Sequence, residues 1–456
     1  KKKKVGEKVC RYAQNDNKSV LPRILMKLLS QRKSTRKKGS FQSVITKDET
    51  FCGIQSDFDS YITITNQADT WRIERTDIIS IADTYDEFSK AMLDGLQLAY
   101  KITANSLYGQ VGAKTSPIYL KELAASTTAT GRNLIMKAKD FMIDNYQADI
   151  IYGDTDSIFV DFKVKTNFNI SDDKEALQKS IDIAIDASNA FNKTLKKPHD
   201  LEYEKTFFPF IILSKKKYVG NLYEHDINKF KQKSMGIVLK RRDNANIVKI
   251  VYGGIIDILL NNHNIQEAIV FLLDCLQKLI NGTFPIEDLV ITKTLRNTYK
   301  DPSRIAHKVL AERMKTRDPG SAPQANDRIP FVYIEHDIKN KSLLQGDKIE
   351  HPTFIIQNNI KIDYVFYITN QILKPVCQLL SLALFEIPKC TLNEQFFIQK
   401  EKKLFIEYEH NTRKTKEKIS DLKQLEVKKL LFDNVLHTLN NKRLGNRAIT
   451  DFFKLI

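Results

Sequence analysis

Residues 150–161 read I-I-Y-G-D-T-D-S-I-F-V-D: an apolar run, a glycine-marked turn with two carboxylates two residues apart, and a second apolar run. Hydrophobics of β character on both sides of a tight Gly–Asp turn predict strand, turn, strand. In extended chain a spacing of two points side chains to one face, so Asp154 and Asp156 are expected to share one side of a hairpin tip. Two carboxylates held that close raise each other's pKa unless a cation lies between them. An all-oxygen pair suits Mg²⁺, which takes one or two protein carboxylates and completes its shell with phosphate and water. A solvated turn has the same pattern, and spacing alone leaves both readings open.

The rest of the chain narrows the choice. Its 456 residues allow two or three domains, and 42% hydrophobic content is enough for substantial cores. With 72 Lys+Arg against 55 Asp+Glu the net charge is +17 and the pI about 9.3, which favours a polyanionic partner such as nucleic acid. The apolar runs at residues 255–260 and 364–384 read as too short or too interrupted to span a membrane. Cys10, Cys52, Cys275, Cys377 and Cys390 are scattered without a C-x-x-C pair, so a disulfide framework and a zinc site are not expected, and a reducing compartment is. The chain starts on four lysines without Met; the expectation is a segment of something longer.

Along the chain, Pro22 and Gly39 bracket a helix with an apolar stripe at Ile24, Leu25, Leu28 and Leu29, and with Arg32 and Arg36 one turn apart. The arginines suit a solvated face or a triphosphate equally. Residues 40–86 look like an inserted hairpin, with Y-I-T-I-T at 61–65 a strand. A helix follows over about 86–108, placing Lys101, Asn105 and Tyr108 on one face at i, i+4 and i+7. That face reads either as a polar seam or as a cation, an amide and a stacking ring presented to a nucleotide. Further helices are predicted over 120–145 and 172–195, and a strand from Leu201 through F-F-P-F-I-I-L. Two basic spots, Lys215, Lys216 and Lys217 before Tyr218, and Lys240, Arg241 and Arg242, suggest a phosphate track. From about residue 247 the composition turns helical, with expected helices at 266–280, 301–314, 364–385 and a basic one over 392–439, and a strand at 329–334.

Taken in order, these motifs resemble those of family B DNA polymerases, in particular the delta-like enzymes and those of large double-stranded DNA viruses. K-I-T-A-N-S-L-Y-G at 101–109 resembles the family's second polymerase motif and Y-G-D-T-D-S at 152–157 its third. The Arg32 helix resembles the fingers helix. K-K-K-Y at 215–218 resembles the palm element that holds the primer terminus, with Lys217 where the family usually has arginine. M-G-I-V-L-K-R-R-D, R-D-P-G-S-A-P-Q and D-Y-V-F-Y-I-T-N-Q carry the likeness to about residue 385.

The resemblance implies an α+β fold with a partial palm sheet, helical fingers and a mainly helical thumb. Its parts would be residues 1–20 as the end of an upstream palm segment, 21–113 as fingers, 114–246 as palm and 247–456 as thumb and C-terminal basic helices. It further implies that Asp156 bridges two Mg²⁺ ions with Asp154 as a supporting neighbour. Arg32, Arg36 and Lys101 would bind the triphosphate, Asn105 would order that face, Tyr108 would pack under the nascent base pair, and the two basic spots would hold DNA. Primer–template DNA and deoxynucleoside triphosphates are the implied partners, with a missing N-terminal half and a sliding clamp beside them. The setting would be intracellular, in a nucleus or at a cytoplasmic viral replication site. The family's other metal-binding aspartate belongs to a D-x-x-S-L-Y-P-S motif expected upstream of Lys1; D-F-D-S-Y at 57–61 echoes it on the wrong side of the fingers helix. The chain alone is therefore expected to be inactive. The competing reading is a non-catalytic module that binds primer–template DNA.

Overall fold

The computed structural model describes residues 19–58, 60–66, 69–197, 199–336 and 343–443, with the side chains of Lys240 and Lys442 left aside. The N-terminal lysine run, Cys10 and Asp59 of the D-F-D-S-Y stretch lie outside the described residues. Helices and small antiparallel sheets alternate in an α+β architecture, and the chain divides into two compact units, one ending at Ala138 and the other starting at Lys139.

In the first unit helix α1 (Val20–Gly39) leads into strands β1 (Gln42–Thr46), β2 (Thr50–Asp57), β3 (Tyr61–Thr65), β4 (Thr70–Glu74) and β5 (Ile78–Asp83). Helix α2 (Glu87–Gly112) then returns along α1. The expected single hairpin is instead a five-stranded antiparallel sheet in the order β4-β3-β2-β1-β5. Short polar turns cause the extra reversals: Thr46 and Glu49 close one, and the Asn66 side chain accepts the Asp69 amide at 2.9 Å in another. Val44, Ile62, Ile64 and Ile73 form its buried core with Phe51, Trp71 and Ile78 against them. The stripe that α1 turns inward is Leu21, Leu25, Leu28, Arg32 and Thr35, whereas Ile24 and Leu29 are exposed. Asp86 caps α2 by accepting the Ser89 amide at 2.8 Å. Helix α3 (Lys121–Tyr146) runs across the division.

The second unit opens with the hairpin β6 (Asp149–Asp154) and β7 (Ser157–Asp161), helices α4 (Val164–Asn167) and α5 (Asp173–Asn192), and a sheet of β8 (Thr206–Ser214), β9 (Lys217–Tyr223) and β10 (Phe230–Met235) in the order β10-β9-β8. The predicted strand from Leu201 begins only at Thr206. Helices α6 (Asn246–Asn261) and α7 (Ile265–Ile280) pack closely, because a Cβ on Gly254 would come within 2.4 Å of the Phe271 ring. There follow α8 (Ile286–Leu289), β11 (Ile291–Thr294), α9 (Ala306–Arg317), β12 (Arg328–Tyr333), β13 (Ile349–Glu350) and α10 (Pro352–Gln357), with the strands in one sheet ordered β11-β12-β13. Val219 and Ile237 belong to the same buried core as α6 and α7, so the composition change near residue 247 marks sheet giving way to helix within one core.

Residues 364–386 contain α11 (Tyr364–Phe366), a π-helical stretch Tyr367–Ile372, α12 (Leu373–Leu380) and a 3-10 stretch Ser381–Glu386. Contrary to the sequence reading, this 23-residue span is long and apolar enough to cross a membrane. Here its apolar side chains Tyr367, Ile372, Val376 and Leu380 fill the main core. The predicted long basic helix is three: α13 (Glu394–Glu407), α14 (Thr412–Leu431) and α15 (Asp433–Arg443). Glu409 and His410 adopt left-handed backbone between the first two, a break that hydrophobic periodicity cannot register.

One buried charge organises the sheet end of this unit. Glu350 is buried and takes a bidentate bond from Arg317 at 3.0 and 2.8 Å, while Arg313 stands 3.7 Å away. Burial pushes the Glu350 carboxyl up, but the Arg317 bond, the His351 amide and the two arginine charges together hold it below the ordinary carboxylate range. A carboxyl with a lowered folded-state pKa stabilises the fold above its unfolded value and loses that contribution as pH falls through the folded one. Glu350→Gln should therefore cost about 3–5 kcal/mol at neutral pH and flatten the loss of stability below about pH 4.5, both measurable by denaturant titration across pH.

Candidate functional site

The first unit gathers one set of predicted residues on the α1–α2 pair. Arg32 is half-buried, and its Nε donates to Gln97 Oε1 at 3.4 Å. Gln97 stands one helical turn before Lys101, and Lys101, Asn105 and Tyr108 continue the same face of α2, all exposed. Arg36 extends the row one turn along α1 and is exposed too. The helices thus form a single polar stripe with three cations, two amides and a phenol. Sequence reasoning missed Gln97, although its i−4 spacing from Lys101 was a readable signal.

The second set belongs to the second unit. β6 and β7 pair with Asp154 opposite Ser157, leaving Thr155 and Asp156 as a two-residue loop. Thr155 has a φ of 57°, as tight hairpin turns require. The period-two alternation expected of extended chain therefore does not carry through the turn, and the two carboxylates have different surroundings. Asp154 receives the Lys216 ammonium at 2.8 and 2.9 Å on its two oxygens and the Thr155 hydroxyl at 3.0 Å. Its bond to Lys216 holds its pKa below the usual carboxylate value, and the same bond raises that of Lys216. Asp156 is exposed, and its carboxylate makes no hydrogen bond or ion pair among the described residues.

Lys216 reaches Asp154 from the β8–β9 turn, where its own backbone is left-handed at a φ of 60°. Two further contacts fix it there. Its amide donates to the Tyr152 hydroxyl at 2.9 Å. Gly236, itself left-handed, lies so close that a Cβ would come within 2.0 Å of the Lys216 carbonyl oxygen. Beneath the tip, Tyr152, Phe159, Phe207, Phe210 and Tyr218 make one aromatic cluster with centroids 5.2–6.3 Å apart. Tyr218 is buried in it, which raises its phenol pKa; its ring is a prop, not an exposed face.

Lys215 is exposed at the turn and Lys217 half-buried at the start of β9. Met235 of β10 pairs with Tyr218 of β9, so the chain leaving β10 through Gly236 and the 3-10 turn Val238–Lys240 brings exposed Arg241 and Arg242 on from the same end of the sheet. For Lys240 the backbone alone is described.

Asp156 fits one place in a Mg²⁺ shell, whose remaining positions water and phosphate can fill. Among the described residues no group of three or more His, Cys, Asp or Glu side chains comes together to hold an ion. A two-ion bridge needs more than this pair, one member of which is already neutralised by Lys216.

The family model for DNA polymerase family B matches residues 69–383, a stretch that contains both the Lys101 face and the D-T-D hairpin. Over its whole length the chain is 69% identical to a DNA polymerase of Pyramimonas orientalis virus and covers 38% of that protein. It is 53% identical over 240 residues to a DNA polymerase of Acanthamoeba polyphaga mimivirus, covering 52% of this chain and 14% of the relative. Against the DNA polymerase delta catalytic subunit of Schizosaccharomyces pombe the identity is 36% over 306 residues, 64% of this chain and 26% of the relative. The chain thus spans well under half the length of each of these relatives.

The brace between the hairpins has a direct test. Hydrogen exchange at residues 154–157 should accelerate in Lys216→Met and in Asp154→Asn, and the double variant should be no faster than the faster single one. Accelerations that simply add would contradict a shared brace.

Proposed function

The chain belongs to DNA polymerase family B, and on that premise we propose that it contributes to template-directed DNA synthesis, the addition of deoxynucleotides to a primer 3′-hydroxyl, acting together with further polymerase segments. The observation that carries this reading is the free carboxylate of Asp156 at the tip of a hairpin whose other carboxylate is already occupied. Phosphoryl transfer asks for placement and charge neutralisation rather than covalent chemistry, and a fixed tip with one open ligand position suits that task.

In this reading α1 and α2 serve as fingers, residues 114–246 as palm and residues from 247 onward as thumb. Arg32, Arg36 and Lys101 grip the triphosphate, Asn105 orders the stripe, and Tyr108 packs beneath the nascent base pair. Two bound Mg²⁺ ions would lower the pKa of the primer hydroxyl and neutralise charge on the departing pyrophosphate. Asp156 is the residue of this chain that would hold them, with Asp154 keeping the tip in place through Lys216. Lys215, Lys217, Lys240, Arg241 and Arg242 follow the phosphates of the primer–template duplex, with Tyr218 supporting them from below, whereas Lys216, expected among them, is engaged by Asp154. Intracellular DNA replication is the setting such relatives suggest.

A sliding clamp is a further partner we propose. Ile449, Phe452 and Phe453 place three apolar side chains within five residues of the sequence A-I-T-D-F-F, a short apolar segment of the kind that docks in a groove. The second reading, a non-catalytic primer–template binding module, is favoured by the lack of a third metal-ligating side chain beside Asp154 and Asp156 among the described residues.

In the longer polymerase Asp156→Asn should abolish primer extension while leaving duplex affinity within about threefold, the small change expected when a catalytic but not a binding group is lost. Near-normal extension by that variant would remove the catalytic assignment. Lys101→Ala should lower the extension rate by about 10²–10³ with duplex binding unchanged; a parallel loss in both would point to misfolding. Removing residues 448–456 should cancel clamp-stimulated synthesis and spare clamp-independent synthesis. Duplex affinity of the wild-type chain should fall steeply with salt.

A further inference from the structure

The five-stranded sheet between α1 and α2 does not share the charge of the rest of the chain. Residues 40–86 hold nine Asp and Glu against three Lys and Arg, in a protein of net charge +17. Two of those three cations are already engaged, Arg72 with Glu74 and Arg75 with Asp57. Asp48, Glu49 and Asp77 have no cationic partner among the described residues. Such a surface repels nucleic-acid phosphate and attracts a basic polypeptide. The family match begins at residue 69, so β1, β2 and β3 precede it.

The two edges of the sheet are built differently. β4 carries the exposed Arg72–Glu74 pair, the charged side chains by which edge strands resist pairing with other chains. β5 reads I-I-S-I-A-D, with no charge before Asp83, and among the described residues pairs only with β1. Ile81 stands directly opposite Val44, which is fully buried, yet is itself 41% exposed. A register shift beside Ile79 leaves that side chain 62% exposed. The apolar face of the sheet thus continues past β1 and ends uncovered on a strand whose outer side pairs with nothing among the described residues. Asp77 stands just before one end of the strand, and Asp83, held by Lys90, at the other.

We propose that β5 is a docking edge for an extended basic segment of a partner protein, which adds as a sixth strand with apolar side chains over Ile79 and Ile81 and Lys or Arg toward Asp77 and the Asp48–Glu49 turn. Strand addition of this kind draws affinity from main-chain bonds and selectivity from alternate side chains. Charge argues against a second copy of this chain as the occupant, since antiparallel self-pairing of β5 would bring Asp77 and Asp83 together. Tyr108 lies 21 residues along α2 from Glu87, about 30 Å at 1.5 Å per residue. A partner held at β5 is therefore remote from the Tyr108 end of the stripe proposed to bind nucleotide, while Arg36 at the other end lies six residues before Gln42, the partner of Asp83, and the inference draws on none of the stripe's residues.

The test uses the full chain and two labelled peptides, one alternating Val and Lys and one alternating Val and Glu, with binding followed by fluorescence anisotropy. The Val/Lys peptide should bind, weakening at least tenfold in an Ile79→Ser/Ile81→Ser variant and about threefold in Asp77→Asn, and the Val/Glu peptide should not bind. Both variants should keep the wild-type circular dichroism and melting temperature, which separates loss of docking from loss of fold. No binding of the Val/Lys peptide at millimolar concentration, or binding indifferent to the Ile79→Ser/Ile81→Ser change, would overturn the proposal. Concentration-dependent self-association that the same change abolishes would overturn it in favour of a second copy.

Discussion

The ion pair between Lys216 and Asp154 is the contact on which the rest of the candidate site depends. It joins two hairpins more than sixty residues apart in sequence and decides which of two neighbouring carboxylates is left open. Two carboxylates on one tip repel each other. Neutralising Asp154 with an ammonium removes that repulsion locally and leaves Asp156 able to accept a cation. Because Lys216 is exposed and Asp154 only half-buried, the pair adds little to global stability. Its effect is positional, and the aromatic cluster beneath supplies the rigidity that the ion pair lacks.

The lysine is held as carefully as the aspartate. A left-handed backbone at Lys216 costs free energy for a residue with a Cβ. The Tyr152 hydroxyl and the close approach of Gly236 keep it in that conformation. The basic row and the carboxylate tip are thus parts of one assembly in the second unit, and substitutions in the row should be read with that coupling in mind. The polar stripe of the first unit is built on another plan, with two long helices presenting residues at helical spacing and a bond from Arg32 to Gln97 between them.

The sequence was readable where periodicity is strong or a motif is dense. The D-T-D hairpin, the Lys101 face, the helices near residues 120–145 and 266–280, and the family follow from spacing and motif order. It was misleading where the chain turns without an apolar signal. The sheet at residues 40–86 was read as one hairpin because its turns are made by Thr, Asn and Asp side chains that look like ordinary polar positions. The helix predicted over 392–439 is broken between α13 and α14 because Glu409 and His410 are left-handed, a conformation no pattern reveals. The extended chain assumed between Asp154 and Asp156 is interrupted by the same kind of residue at Thr155. Residues 364–384 read as a helix too interrupted to span a membrane, yet their polar members, such as Thr369, bond within the helix while Tyr367 spans the core to the Leu289 carbonyl. Long-range partners such as Lys216 for Asp154 and Gln97 for Arg32 are beyond any local reading.

The most direct test of this division of labour is cation binding without catalysis. Mn²⁺ can be titrated by electron paramagnetic resonance into the wild-type chain, Asp154→Asn and Asp156→Asn. If Lys216 reserves Asp156 for the cation, Asp156→Asn loses at least tenfold in Mn²⁺ affinity and Asp154→Asn loses a smaller factor, through the loosened brace alone, since a carboxylate already neutralised contributes little to the field. Equal losses in the two variants, or a greater loss in Asp154→Asn, would contradict it.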